Sequence, residues 1–188
     1  MAGIYNGRSM TTHTLDVLHG YKSDTDAVTW TAAFSSSQLG SVTGNVAYAG
    51  RCVHLNSSGD FEFGVTNRSM GMWLLQNSND PDVTNDGGTA STDADAWHPI
   101  RPTDKLTAVV AAGAYELETT EFNTSLTYAP NDTLTAVTGT TLSTCGVMTN
   151  ASAVPYTNPV CGVASAAKYT NSHGRSALRF WPVYLPVA

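Results

Sequence analysis

Positive charge is scarce in this sequence. Its 188 residues include nine lysines and arginines against fifteen aspartates and glutamates, which gives a formal net charge of −6. Proteins that bind nucleic acids generally carry a clustered basic surface that neutralises phosphates. No basic stripe occurs in the chain, so we expect no nucleic-acid partner.

Long hydrophobic runs and a secretion signal are lacking as well. None of the apolar segments approaches the ~20 residues that cross a bilayer as a helix. Residues 1–20 have neither the charged start nor the continuous apolar centre of a signal peptide. We therefore expect no membrane partner, and synthesis in a cytoplasm.

Groups that carry chemistry are few and scattered. Cysteines occur only at Cys52, Cys145 and Cys161, and this odd number favours reduced, buried thiols, with a Cys145–Cys161 disulfide as the alternative. The five histidines have no metal-ligand spacing, and no Gly-x-Ser-x-Gly motif marks a nucleophile. We expect no enzymatic activity and no cofactor.

The composition instead favours short strands and turns. Thr, Ser, Ala, Gly, Val and Asn dominate, and no segment has a convincing helical period. Alternating side chains predict strands, most clearly over 28–34 and 115–120. The segment Ala129-Pro130-Asn131-Asp132 is typical of a turn. The sequence therefore predicts an all-β protein.

Changes in residue composition along the chain predict its division into segments. Residues 1–26 are irregular and polar, which indicates an extended N-terminal arm. Residues 27–80 and 104–188 each predict a small β-barrel or sandwich unit. Residues 81–103, rich in Asn, Asp and Gly, predict a polar loop or linker between the two units.

Carboxylates offer one candidate ion site. Three aspartates in the polar loop partly fit the spacing of a calcium loop, although a threonine occupies its third position and no helices flank it. The candidate ligands are Asp82, Asp86 and Asp93. A solvated loop is the alternative. Elsewhere we interpret Glu116, Glu118 and Glu121 as solvated surface charge of a strand rather than as paired catalytic carboxylates.

Aromatic residues predict an interface near the end of the chain. Pro182 cannot donate to a β-ladder, so the last strand is expected at a sheet edge or at a bulge. Its aromatic edge, which a neighbour is expected to cover, consists of Phe180, Trp181 and Tyr184. Trp97, isolated in the polar loop, is a further interface candidate. We expect a symmetric homo-oligomer, with a trimer preferred to a dimer.

The N-terminal arm offers a second docking element. Leu15, Val17 and Tyr21 partly alternate, so the segment is predicted to add as a strand to a partner's sheet edge. A disordered terminus is the alternative.

Blocks of sequence at 50–65, 72–83, 112–122, 128–134, 160–163 and 179–186 resemble a family of capsid decoration (cement) proteins of tailed phages. The turn Tyr128-Ala129-Pro130-Asn131-Asp132 also resembles that of the smaller β-tulip decoration proteins of lambdoid phages. In those proteins a glycine usually stands where Asn131 stands here, and asparagine tolerates the same backbone.

This resemblance implies a β-tulip-like fold and non-enzymatic binding to the outside of a phage capsid. It implies the major capsid protein as partner and the virion as location. The alternative function is a receptor- or glycan-binding β-module of a phage fibre or tail.

Overall fold

The computed structural model describes residues 15–20, 28–35, 37–38, 47–75, 105–110, 115–139, 144–151, 159–172 and 174–186. Its regular elements are twelve β-strands, which confirms the all-β prediction. In chain order these are β1 (Leu15–Gly20), β2 (Val28–Ala33), β3 (Cys52–Leu55), β4 (Phe61–Phe63), β5 (Met72–Leu74), β6 (Lys105–Val110), β7 (Tyr115–Thr119), β8 (Thr133–Ala136), β9 (Met148–Asn150), β10 (Val160–Ala164), β11 (Tyr169–Thr170) and β12 (Ser176–Leu185).

The strands form two antiparallel sheets. A seven-stranded sheet has the order β1-β7-β12-β10-β8-β9, with β11 paired to β12 beside this path. A five-stranded sheet has the order β2-β6-β5-β3-β4. Neither sheet closes into a full barrel, so of the two predicted forms the sandwich is confirmed and the closed barrel is not.

The two sheets pack against each other through one hydrophobic core. Trp73 and Val109 of the five-stranded sheet belong to the same buried cluster as Leu117, Leu134 and Phe180 of the seven-stranded sheet. Successive residues of a strand face opposite sides of the sheet, so every second side chain of a strand can point into this core. The period-two pattern of the sequence therefore places the core between the sheets.

The five-stranded sheet also encloses a second core on its other face. Phe34, just beyond β2, forms an isolated bridge with Phe61 of β4, and the Ser35 N–H donates to the Phe61 carbonyl over 3.0 Å. The sheet thus curls until its two edge strands meet at one point. Phe34 packs on Phe61 and Phe63 with ring centroids 5.9 Å and 4.9 Å apart.

The sheets are not consecutive in sequence, which corrects the predicted division into two successive units. β6 lies within the predicted second unit, yet it pairs with β2 and β5 of the five-stranded sheet. β1 lies within the predicted arm, yet it joins the seven-stranded sheet. Periodicity identifies strands but not their partners, because pairing depends on contacts between distant segments. The predicted loop 81–103 lies outside the described residues.

β1 adds to an edge of its own chain's sheet, where the sequence predicted an edge of a partner. It runs antiparallel to β7, with Leu15 opposite Thr119 and Val17 opposite Leu117. Leu15 packs against the core between the sheets. Tyr21, the third residue of the predicted docking segment, lies outside the described residues.

The last strand, β12, is central rather than at an edge, which corrects that part of the prediction. It pairs with β7 over Leu178–Phe180 and with β10 over Phe180–Leu185. The predicted bulge is confirmed, because the register with β10 shifts between the pair Gly162–Pro182 and the pair Val160–Leu185. The proline therefore stands at an irregularity of the ladder, where a missing N–H is tolerated.

The predicted turn before β8 is present and has the expected backbone. Asn131 has φ 72°, and it is the one non-glycine residue with positive φ in the described part of the chain. The Asp132 N–H donates to the Ala129 carbonyl over 3.1 Å, while the Asp132 carboxylate accepts from the Ala129 N–H over 2.8 Å. A proline followed by a residue of positive φ fits a type II turn.

Replacement of Asn131 tests the strain in this turn. We expect Asn131→Val to lower the free energy of unfolding by about 1–2 kcal/mol, because a β-branched residue is strained at positive φ. Asn131→Gly should change it by less than about 0.5 kcal/mol, since glycine adopts this backbone without strain. Asn131 is exposed, so lost packing contributes little to either variant. Urea unfolding of the two proteins measures the difference, and equal stabilities would contradict the assignment.

Candidate functional site

Several of the candidate site residues lie outside the described part of the chain. They are Asp82, Asp86, Asp93, Trp97 and Tyr21. Within the described residues, no group of three or more His, Cys, Asp or Glu side chains is close enough to hold a metal ion. The calcium hypothesis therefore stays a prediction from sequence.

The predicted aromatic edge divides between the core and the surface. Phe180 is fully buried and packs on Trp73, with ring centroids 5.2 Å apart, so the prediction that it lies at an interface is wrong. Trp181, the next residue, points away from the core and is exposed. Tyr184 is half-buried, and its hydroxyl donates to the Thr66 carbonyl over 3.1 Å. Alternation along the strand explains why neighbouring aromatic residues separate in this way.

Exposed apolar side chains lie on β12 and beside it. Trp181 is 38% exposed, Leu185 54% and Met70 37%. The hydrogen bond of Tyr184 holds the end of β12 against the turn that precedes Met70. We call the two exposed apolar side chains of β12, Trp181 and Leu185, the β12 surface. Trp30 on β2, 52% exposed, is a separate aromatic residue on the other sheet.

A buried ion pair joins the start of β3 to the segment after β7. Arg51 Nε donates to Glu121 Oε2 over 2.8 Å, and both side chains are less than a tenth exposed. Arg51 Nη1 also donates to the Cys145 carbonyl over 3.1 Å, and the guanidinium carbon lies 4.6 Å from the centre of the Tyr48 ring. One cation therefore connects three loops at the junction of the two sheets.

This ion pair lines a cleft of about 340 Å³. Threonine hydroxyls and apolar side chains make up most of the rest of its lining, which consists of Thr120, Phe122, Asn123, Thr124, Val137, Thr144, Val147 and Thr149. Burial raises the pKa of the nearby Cys145 thiol, although the Arg51 charge acts in the opposite direction. A protonated thiol is a poor nucleophile at neutral pH. The cleft thus combines a structural ion pair with hydroxyl groups and holds no activated nucleophile among its described residues.

A second polar cluster covers Glu118 on the outer face of the seven-stranded sheet. Its carboxylate accepts hydrogen bonds from the Tyr169 hydroxyl, from Asn171 Nδ2 at 3.1 Å and from Arg179 Nε at 3.3 Å. The Arg179 guanidinium also stacks over the Tyr169 ring at 4.7 Å. Burial, and next the Glu118 carboxylate, raise the pKa of Tyr169 to about 12. The cluster fastens the β11 segment to the sheet.

The prediction that three glutamates are solvated surface charge is therefore wrong for two of them. Glu118 and Glu121 are buried in ion pairs, and only Glu116 is half-buried, where it accepts from the Ser165 hydroxyl. The alternation of side chains along β7 correctly predicted that Glu118 lies on the outer face of the sheet. It could not show that β11 folds over that face, because the covering residues follow Glu118 by about fifty positions.

The buried cation Arg51 was missed by sequence reasoning. Its one signal is its place in Gly50-Arg51-Cys52-Val53, where a charged residue directly precedes a mostly apolar strand. A charge in such a position requires a partner, since burial of an unpaired ion is costly. The identity of that partner, Glu121, comes only from the fold.

Similarity to known proteins gives no further guidance to the function. The chain matches no protein-family model, no curated protein and no solved structure. In the part of the chain that the structure describes, no helix has the length and apolar character that a membrane span requires.

Removal of one partner tests the buried ion pair. We expect Glu121→Ala to lower the free energy of unfolding by about 3–5 kcal/mol, because it leaves the Arg51 guanidinium buried without its carboxylate. Replacing the half-exposed Glu62 by alanine is the matched control and should cost less than about 1 kcal/mol. Urea unfolding gives both values. A cost below about 1 kcal/mol for Glu121→Ala would show that water reaches the pair.

Proposed function

We propose that this protein is a non-enzymatic structural component of a virion, which binds the outer surface of a phage capsid and stabilises it. The observation that carries this proposal is the β12 surface, where Trp181 and Leu185 expose apolar groups on a well-packed sandwich. Exposed apolar groups supported by a rigid sheet are typical of protein–protein contact sites.

The sequence blocks that resemble decoration proteins support this assignment. Those at 50–65, 128–134, 160–163 and 179–186 lie wholly within the described residues. They form β3 and β4, the turn before β8, most of β10 and most of β12. The resemblance therefore follows the framework of the sandwich and includes the strand that carries Trp181.

The chemistry of the buried groups is consistent with a binding protein. Arg51 and Glu121 satisfy each other, and Glu118 is fully engaged by Tyr169, Asn171 and Arg179. These groups stabilise loops and the β11 segment. Their arrangement supports a rigid module that docks through its surface rather than one that transforms a substrate.

The affinity for a capsid increases when several copies of the same contact are linked. A single contact centred on one tryptophan is weak, but several linked contacts raise the overall affinity by orders of magnitude. A symmetric homotrimer would present three copies of the β12 surface to the repeating capsid subunits. The trimer is part of the proposal, and mass measurement of the purified protein and of decorated particles tests it.

Copy number separates capsid decoration from the alternative of a fibre or tail module. We expect quantitative mass spectrometry of purified virions to find this chain at hundreds of copies per particle. A few dozen copies or fewer, confined to the tail, would instead support the receptor- or glycan-binding module.

A binding assay tests the β12 surface directly. We expect Trp181→Ala to weaken binding to empty capsids of the encoding phage by about 30-fold or more, the effect of losing an aromatic hot spot. Trp30→Ala removes the same side chain from the other sheet and serves as the matched control, with binding expected to change by less than about threefold. Because both side chains are substantially exposed, neither variant should lose much stability, which thermal unfolding checks.

The possible outcomes test separately where the docking surface lies and whether the protein binds capsids. Loss of binding in Trp30→Ala alone would move the docking surface to the five-stranded sheet. Failure of the unaltered protein to bind capsids at all would overturn the capsid assignment itself.

A further inference from the structure

Two cysteines from opposite sheets meet in the core of the sandwich. Cys52 lies on β3 of the five-stranded sheet and Cys161 on β10 of the seven-stranded sheet, and both are fully buried in the cluster between the sheets. Both border the backbone position of Gly71. Cys145, the third cysteine, belongs to the second core beside Arg51. No disulfide links any of the three, which confirms the prediction of reduced, buried cysteines.

The glycine at position 71 leaves a space that both cysteines border. A Cβ atom at position 71 would lie 2.9 Å from Cys52 Sγ and 3.4 Å from the Cβ of Cys161. A side chain at Gly71 would therefore displace the Cys52 sulfur. The third sulfur nearby belongs to Met148, whose Sδ lies 3.7 Å from Cys161 Sγ.

Burial in the core slows the reaction of the two thiols with oxidants. Both have no exposed surface, and burial raises the pKa of Cys52 well above its usual value. Since the thiolate is the attacking species, a buried thiol of raised pKa reacts slowly with external reagents. Once one of the pair has reacted, the other lies beside the same glycine, Gly71.

We propose that Cys52 and Cys161 are a covalent modification site, an oxidisable thiol pair that closes to a disulfide across the two sheets. The oxidant is a low-molecular-weight disulfide. One cysteine thiolate attacks it, forms a mixed disulfide and releases one small thiol; the second cysteine then attacks the mixed disulfide and releases another. The protein loses two protons and two electrons, and the oxidant becomes two thiols.

The consequence is a covalent link between sheets that otherwise hold together by packing, hydrogen bonds and the Arg51–Glu121 ion pair. Closure joins residues more than a hundred positions apart, and a long closed loop restricts the unfolded chain strongly. The link would form when the protein passes from a reducing cytoplasm to an oxidising exterior. This inference does not depend on which partner the β12 surface binds.

The experiment uses the purified full chain, reduced and then incubated at pH 8 with 2-hydroxyethyl disulfide under native conditions. We expect the number of titratable thiols, measured after unfolding, to fall from three to one. Peptide mapping should find Cys52 joined to Cys161. The midpoint of thermal unfolding should rise by about 5–10 °C, the increase expected for a long-loop disulfide in a chain of this size.

Three variants control the assignment. Cys145→Ser should oxidise like the unaltered protein and lose both remaining thiols. Cys161→Ser should form no intramolecular disulfide. Gly71→Ala keeps all three cysteines but displaces the Cys52 sulfur, so its yield of the disulfide should fall severalfold.

The peptide map of the unaltered protein decides the proposal even if a variant fails to fold. A native protein that keeps three thiols after prolonged oxidation overturns it. A disulfide that includes Cys145, or a Cys52–Cys161 disulfide that forms only in urea, overturns it as well.

Discussion

The contact of Trp73 with the opposite sheet is the interaction on which the sandwich depends. Its indole ring lies 5.2 Å from the Phe180 ring, and its N–H points to the Met148 sulfur 3.5 Å away. Trp73 stands on the central strand of the five-stranded sheet, and Phe180 on an interior strand of the other. Because aromatic side chains bury the most surface and prefer tilted ring contacts, this pair fixes the spacing and the relative position of the sheets.

Around this apolar centre, buried charged side chains hold loops and one short strand against the edges and the outer face of the sandwich. Arg51 and Glu121 tie loops where the two sheets meet, and Glu118 holds the β11 segment on the outer face. A low-dielectric setting strengthens such pairs but makes a missing partner costly. The charged groups therefore bind loops and the β11 segment to the sheets, while Trp181 and Leu185 of β12 are exposed.

Much of the local structure could be predicted from the sequence, because period-two alternation and turn residues act over a few positions. The predicted strands at 28–34 and 115–120 match β2 and β7 closely, and Pro130 with Asn131 gave the turn before β8. The strand partners could not be predicted, since β1 and β6 pair with segments that local patterns do not connect to them.

Less of the candidate site could be predicted from the sequence, because it too depends on contacts between distant segments. Trp181 was correctly placed on an outward-facing position, whereas Phe180 was not, because composition alone cannot tell which of two adjacent aromatic residues a second sheet will cover. The burial of Glu118 and Glu121 depends on residues dozens of positions away. Each is a tertiary effect that overrides the local preference.

The position of β12 in the seven-stranded sheet has a consequence for how the protein is made. This strand comes last among the described strands and yet inserts between β7 and β10, which precede it. During synthesis β7 is complete more than fifty residues before β12, so one of its edges has no partner in this sheet until β12 is added. Open strand edges are templates for association between chains. Nascent copies on neighbouring ribosomes are therefore most exposed to mispairing in the interval before β12 emerges.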